Sequence, residues 1–335
     1  MYTIDMHCDT ISKMLYQQGT GKEYGSLREN RGHLDLLRLK RAQSLVQNFA
    51  LFVELKSVED PFENFLQLEA LFQNEMNHNK ELVTQVTSYA DIERAEKSGK
   101  IGALLTVEEG AVCKGEIKKL ETLYQKGVRM LTLTWNYPNE LGFPNVKIPE
   151  GNSQKRPDFK TPNTEDGLTE KGIEFVEAME EMGMIVDVSH LSDAGFYDVL
   201  RVSKKPFTAS HSNARSICNC IRNLTDDMIH KLADRGGVTG LNFCADFLTE
   251  EVDGKENPGT MDAVLAHARH IIQVGGLECV GLGTDFDGIA TNKGIPDVSY
   301  LPKLEEEFEK AGFTHTEIEH IFYKNVLRLY KETIG

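Results

Sequence analysis

No run of residues approaches the roughly eighteen consecutive apolar positions that a membrane-crossing helix needs, so no such span is expected. Cysteine is scarce, with six in 335 residues. Cys8, Cys244 and Cys279 fall in or beside apolar runs, where a free thiol packs as a small hydrophobe. Reduced thiols, and with them a cytoplasmic setting, are the expectation. Cys218-Asn219-Cys220 is one residue short of the usual zinc-binding spacing and is a weak metal candidate. Positive charge is also short: 37 Lys and Arg against 52 Asp and Glu give a formal charge of −15. That disfavours nucleic acid and anionic membranes as partners, because phosphate contacts need clustered cations. No basic stretch followed by an apolar one precedes the run Tyr2 to Asp5, so no secretory signal is expected. The last residues, Tyr330 to Gly335, do not read as a lipid-anchor tail, so no such anchor is expected.

What the chain does have is alternation. Short apolar runs, continuous rather than alternating, lie at Tyr2 to Asp5, Leu45 to Phe52, Ile101 to Val107, Arg129 to Thr134, Ile185 to Ser189, Pro206 to Ser210, Gly237 to Phe243 and Cys279 to Thr284. Such runs suit parallel strands buried on both faces. Helical patterns separate them, among them Pro61 to Asn77, Glu116 to Gln125, Thr169 to Met182, Asp193 to Val202, Asp226 to Arg235 and Met261 to Val274. Gly127, Gly183 and Gly275 stand where a left-handed helix cap is expected. Length alone suggests about two domains, but barrels of this size are common as one. Eight strand–helix units predict a TIM-type (β/α)₈ barrel, a single domain over residues 1–335.

One stretch breaks the rhythm. Asn136 to Gly167 is polar and aperiodic and holds five of the ten prolines: Pro138, Pro144, Pro149, Pro157 and Pro162. It follows the fourth predicted strand, so it is expected to lie over the catalytic face of the barrel.

Metal-binding residue types sit at the ends of the strands. His7 and Asp9 follow the first, on one side of an extended segment. Glu108 follows Leu104-Leu105-Thr106-Val107, where a buried carboxylate needs a partner or a metal. Pleat alternation turns Glu109 the other way. A carboxylate has two oxygens and can bridge two ions. His190 and His211 end successive strands whose tips lie under about 5 Å apart, within reach of one ion. Asp285 follows the last strand in Gly281-Leu282-Gly283-Thr284-Asp285-Phe286-Asp287-Gly288, placed for proton transfer, and Gly288 suits a tight turn. The run lacks the spacing of a dinucleotide fingerprint. His33, His78, His230, His267, His270, His315 and His320 read as surface or structural residues.

Taken together, Asp5-Met6-His7-Cys8-Asp9, Val107-Glu108-Glu109-Gly110, Leu131-Thr132-Leu133-Thr134, Asp187-Val188-Ser189-His190, Ser210-His211-Ser212-Asn213-Ala214, Arg222-Asn223 and Gly283-Thr284-Asp285-Phe286-Asp287-Gly288 resemble the membrane dipeptidase family of zinc peptidases, within the amidohydrolase-like metal barrels. The likeness covers nearly the whole chain. It implies two zinc ions, one on His7 and Asp9, the other on His190 and His211, with Glu108 bridging them. It implies that Arg222 binds the free carboxylate of a dipeptide and that Asp285 handles the proton, while a metal-bridging hydroxide attacks the peptide bond. Tolerance of a D-residue at the C-terminal position is implied too, and a homodimer is left open. Members often carry His directly after Leu-Thr-Leu-Thr; this chain has Trp135, its only tryptophan, which cannot titrate near neutrality and is assigned to substrate contact. The alternative reading is another binuclear metal-dependent amidohydrolase, acting on a cyclic amide, lactam or ester.

Overall fold

The computed structural model describes residues 1–18, 24–148, 157–250 and 259–335. Nine parallel strands form one sheet: β1 Thr3–Asp5, β2 Ser44–Phe52, β3 Val83–Gln85, β4 Ile101–Glu108, β5 Val128–Thr132, β6 Ile185–Asp187, β7 Thr208–Ala209, β8 Val238–Leu241 and β9 Val280–Leu282. Eight of them close a ring, because β2 pairs with both β1 and β4, and the rest follow in order from β4 through β9 back to β1. The predicted barrel is therefore present, with each of its eight strands where an apolar run lies. The ninth strand, β3, was not expected. It pairs with Ile101 to Ala103 at the start of β4, below the stretch that pairs with β5. Three residues, Val-Thr-Gln, carry too little apolar signal to mark it.

Pleat alternation sorts each strand between two cores. Ile4, Val46, Leu104, Met130, Ile185 and Val238 share a small core inside the ring, completed by Val326, Leu329 and Tyr330 of the helix Asn325–Thr333. Tyr330 donates its hydroxyl to Asn48 Oδ1 at 2.7 Å. Their strand neighbours, such as Leu105, Val107, Leu131, Val186 and Leu241, face the outer helices in the larger core. Inward-facing Leu104 and Thr106 put Glu108 on the inside at the end of β4. Helix starts follow the sequence signals: Asp60 caps Pro61–His78, Thr169 caps Glu170–Met182, Ser192 caps Asp193–Val202 and Thr225 caps Asp226–Asp234. Gly127 and Gly183 adopt the left-handed conformation with φ 92° and 77°. The helix Met261–Gly275 is capped by Gly276, one residue later than expected and with φ 84° and ψ 167° in place of a left-handed turn.

Three strands, β6, β7 and β9, end earlier than their apolar runs because backbone amides there turn to a carboxylate. The amides of His7 and Thr284 donate to the carboxylate of Asp5, and those of Ser189 and Ser210 donate to Asp187. Side-chain acceptors thus replace ladder carbonyls just where the chain enters the site, and His7, His190, His211 and Asp285 lie beyond the last ladder residue. His190 and Asp285 also take positive φ, 69° and 63°, a conformation that re-aims a side chain at some cost in strain.

The described parts of the stretch from Asn136 to Gly167 lie outside the sheet, tied down by amide side chains; residues 149–156 fall outside the described residues. Asn139 accepts from the amides of Leu141 and Gly142. Asn145 donates to Asp193 and to the Ile221 carbonyl, and accepts from the amide of Asn163. A polar, aperiodic segment is held here by side chains where regular structure would use backbone.

Candidate metal centre

The strand ends bring His7, Asp9, Glu108, His190 and His211 to one place, all buried. Glu108 stands in the middle. Its Oε2 is 3.3 Å from His7 Nε2, and its Oε1 is 3.0 Å from His190 Nε2 and 3.6 Å from His211 Nε2. His7 Nε2 also lies 3.3 Å from Asp9 Oδ2 and 3.9 Å from Asp285 Oδ1. His190 Nε2 and His211 Nε2 are 3.0 Å apart, and the rings of His7 and His211 overlap with centroids at 3.9 Å. Possible ligand atoms cluster as His7, Glu108 and His211, and as His7, Asp9 and Asp285, so Asp285 stands close enough to the His7 side to count among its donors.

The chemistry of this donor set fits a cation. His7 Nδ1, His7 Nε2 and Asp9 Oδ1 are buried without a hydrogen-bond partner, where buried polar atoms are otherwise paired. Burial opposes charge on His7, but Glu108 and Asp9 win and raise its pKa well above the usual imidazole range. For Glu108, burial opposes ionisation, yet His7 and the hydrogen bond from His190 hold it well below the carboxylate range. The site thus draws positive charge to its centre. His190 is pushed down to about 4 by burial and by Arg222, and His211 well below its ordinary value by burial and by His7. Both are neutral imidazoles at pH 7, the form that binds metal.

A cavity of about 800 Å³ opens over this cluster. Asp9, Glu108, His190 and Asp285 line its floor, and Phe159 and Lys160 of the long loop form part of its wall. Arg222 lines it as well. Its side chain is 4% exposed, its Nε and Nη2 have no partner, and its guanidinium lies 5.5 Å from the ring of Phe247. A buried guanidinium that lines a cavity and has unpaired donors suits a carboxylate ligand. Asp285 accepts from Asn242 Nδ2 at 2.9 Å. Its pKa is raised to about 7 by burial, against the pull of His7 and with Asp9 and Glu108 adding to the rise. Trp135 is half-buried in the wall, between the rings of Phe52 at 4.9 Å, Tyr137 at 5.5 Å and His190 at 6.2 Å.

Other residues here have partners that the sequence did not show. Glu109 does turn away from the cluster, as alternation requires, but it is fully buried at φ 103° and accepts from the amides of Ala111 and Trp135 and from Asn139. It ties Trp135 and the start of the long loop to β4, and burial raises its pKa to about 7. Asn136 Oδ1 lies 2.9 Å from His190 Nδ1. Gly288 does stand in a turn, its amide donating to the Asp285 carbonyl, but the left-handed residues there are Asp285 and Asp287. What requires a glycine at 288 is space: a Cβ would come within 2.1 Å of Asp9 Oδ2 and 2.5 Å of Asp285 Oδ1. Of the histidines read as structural, His267 is buried, accepting from the Ala214 amide and facing the Leu248 carbonyl. Cys218 and Cys220 are free thiols, and no cysteine joins a candidate metal group among the described residues.

Known proteins resemble this chain over its length. The sequence profile of the membrane dipeptidase family, peptidase family M19, matches residues 1–334. An uncharacterized dipeptidase of Schizosaccharomyces pombe is 32% identical over 314 residues, 90% of this chain and 72% of its own length. An uncharacterized Klebsiella pneumoniae protein from the region 5′ of pqqA is 31% identical over 273 residues, 81% of this chain and 97% of its own. Among solved structures, a metallopeptidase described as dipeptidase AC superposes with a TM-score of 0.87 at 25% identity, covering 100% of this chain and 99% of that one. A Rhodobacter sphaeroides metallopeptidase liganded with a phosphinate mimic of the dipeptide L-Ala-D-Ala gives 0.86 at 25% identity, covering 99% of each. With the profile running the length of the barrel, this chain belongs to the membrane dipeptidase family and is a metallo-dipeptidase.

Proposed function

We propose that this enzyme hydrolyses free dipeptides with two zinc ions, His7 and Asp9 holding one, His190 and His211 the other, and Glu108 both. The observation that carries this reading is the division of Glu108, one oxygen toward His7 and the other toward the two histidines of β6 and β7. Imidazole and carboxylate donors suit zinc. Bound there, two divalent ions would make a water nucleophilic near neutral pH and polarise the scissile carbonyl. Arg222, a guanidinium in the cleft lining with unpaired donors, binds the substrate's terminal carboxylate, which fixes where the peptide bond lies over the centre. Asp285, held by Asn242 on the His7 side, takes the attacking water's proton and passes it to the leaving amine. Trp135, Asn136, Phe159 and Lys160 wall the cleft of what we take as one domain, and they exclude bulk water from the substrate.

Tolerance of a D-residue at the C-terminal position is extended to this chain from the phosphinate complex of the Rhodobacter sphaeroides relative. The six free cysteines support the expected cytoplasmic setting. Unpartnered donors on Arg222 favour a substrate with a free carboxylate over a cyclic amide or ester.

Elemental analysis and a panel of L,L and L,D dipeptides test the reading together. About two divalent ions per chain and turnover of free dipeptides are expected; a fully active enzyme with one ion overturns the bridged centre. Arg222→Ala is expected to lower kcat/KM for free dipeptides by about 2–5 kcal/mol, the range for breaking a buried charged pair. Amidating the substrate's C-terminus then hurts the parent enzyme much more than the variant; equal losses in both place Arg222 outside the substrate site.

A further inference from the structure

We propose that Asp187 and Ser210 are positioning residues, an acceptor relay that holds His211 with its proton on Nδ1 and so keeps Nε2 bare for the metal centre. The inference rests on His211 being a ligand, as proposed above.

Asp187 ends β6 and is fully buried. Its carboxylate already receives four donors. Oδ1 accepts from the amides of Ser189 at 3.0 Å and Ser210 at 2.9 Å; Oδ2 accepts from Thr132 Oγ1 at 2.7 Å and Ser210 Oγ at 2.6 Å. Four donors occupy its oxygens, so its contribution to the centre passes through Ser210. The Ser210 hydroxyl has one proton and two lone pairs. Besides Asp187 it meets His211 Nδ1 at 2.7 Å and Ser189 Oγ at 3.3 Å. Donation to an ionised carboxylate is roughly twice as strong as donation to a neutral acceptor, so the proton goes to Asp187. Ser210 Oγ is then an acceptor toward His211, and Nδ1 must carry the ring proton. Nε2 is left as a lone pair, 3.0 Å from His190 Nε2 and 3.6 Å from Glu108 Oε1. The other tautomer would take Ser210's proton from Asp187 and aim an N–H into the ligand cluster.

The backbone around Ser210 is fixed as tightly as its side chain. A Cβ on Gly240 would approach the Ser210 carbonyl oxygen to 2.0 Å, and one on Gly283 to 1.8 Å. Those two glycines, one in β8 and one just past the end of β9, leave the room in which Ser210 reaches both partners. The amide of His211 in turn donates to Ser189 Oγ at 3.2 Å.

The experiment begins from zinc-loaded protein. Chelator competition measures the affinity of each ion in the parent, Ser210→Ala, Ser210→Thr and His211→Ala. Outer partners of a metal-bound histidine typically contribute 10–100-fold to affinity, so Ser210→Ala should weaken the more labile ion by about that factor. The other ion should stay within about threefold, saturating zinc should bring most turnover back, and Ser210→Thr, which keeps the hydroxyl, should restore affinity. Nitrogen-15 labelling of histidine reads the hydrogen bond itself: the His211 Nδ1 proton should exchange slowly in the parent and at least about tenfold faster in Ser210→Ala. A Ser210→Ala protein that binds both ions as the parent does overturns the proposal. If His211→Ala loses an ion while Ser210→Ala does not, only the relay falls; if His211→Ala keeps both ions, the metal reading falls with it. Should Ser210→Ala fail to fold, fast exchange of the Nδ1 proton in the folded parent still overturns the relay.

Discussion

The end of β1 and the end of β6 are built alike. Each strand closes on a buried aspartate, Asp5 or Asp187. In each, Oδ1 accepts the amide two residues on, from His7 or Ser189, and an amide just past the end of one flanking strand, from Thr284 or Ser210. In each, Oδ2 accepts the hydroxyl of that same Thr284 or Ser210 and a side-chain donor from the strand on the other flank, Gln47 or Thr132. The two clamps part at the next residue. Ser210 Oγ meets the ring of His211, whereas Thr284 Oγ1 makes no contact with the carboxylate of Asp285, which has Asn242 as its donor. One clamp thus ends in an imidazole held at both faces; the other ends in a carboxyl whose pKa burial has brought up to about 7. The same frame can present a rigid ligand or a group free to exchange a proton, depending on whether the hydroxyl reaches the next side chain.

Substituting those two terminal residues should separate the roles, and the largest effects are expected here. His211→Ala should lose about one ion per chain and nearly all turnover, because it leaves a site short of a ligand. Asp285→Asn should keep both ions and lose turnover by about 10²–10⁴-fold, the usual contribution of a general acid–base group. Metal content and kcat measured on the same preparations decide it. An Asp285→Asn protein that loses an ion would make Asp285 a ligand and erase the distinction between the clamps.

A smaller effect should mark the Thr284 hydroxyl. Thr284→Val removes one of the two donors to Asp5 Oδ2 and should cost about 1.5–3 kcal/mol of stability, the range for a hydrogen bond to a charged group. Urea unfolding measures that cost. Zinc affinity should not change, in contrast to Ser210→Ala. A loss of zinc from Thr284→Val would show that both hydroxyls serve the metals and that the clamps are alike in function.

How much of this was readable beforehand follows from the range of each interaction. The eight barrel strands show as apolar runs because both faces of a parallel strand are buried, and a run such as Ile101 to Val107 reports that locally. Glu108, His190 and His211 stand out because their residue types are rare at the ends of such runs. Asp187 lay inside a motif that could be quoted, but its work depends on Ser210, twenty-three positions on in the chain, and nothing local joins them. Asn242 was opaque for the same reason, since it donates across to Asp285, and so was the room that Gly288, read only as a turn residue, leaves for Asp9. Glu109 could be read as facing away from the metals, yet not as the anchor of Trp135 and Asn139. The strand ends were overestimated because apolarity continues past Asp187 and Ala209, while the backbone amides there turn to a carboxylate.

The smallest effect is expected at Trp135, which stands over the His190 half of the centre with no ligand of the His7 half within its ring contacts. Its ring packs on Phe52, Tyr137 and His190, and Glu109 holds its amide, so its place is fixed while one face remains open to the cavity. An indole so placed gives apolar contact to a substrate side chain in the ground state and the transition state alike. Such uniform binding moves KM and leaves kcat nearly alone. Trp135→Ala should therefore raise KM by roughly 5–30-fold, the equivalent of about 1–2 kcal/mol of apolar contact, below the 1.5–3 kcal/mol for burying a whole side chain. Trp135→His should keep measurable activity and change which side chains are preferred. Steady-state kinetics on several dipeptides distinguishes the cases. If Trp135→Ala instead lowers kcat a thousandfold or more at constant KM, the indole N–H touches the oxygen of the scissile carbonyl as charge develops, and the His190 half carries chemistry as well as ligation.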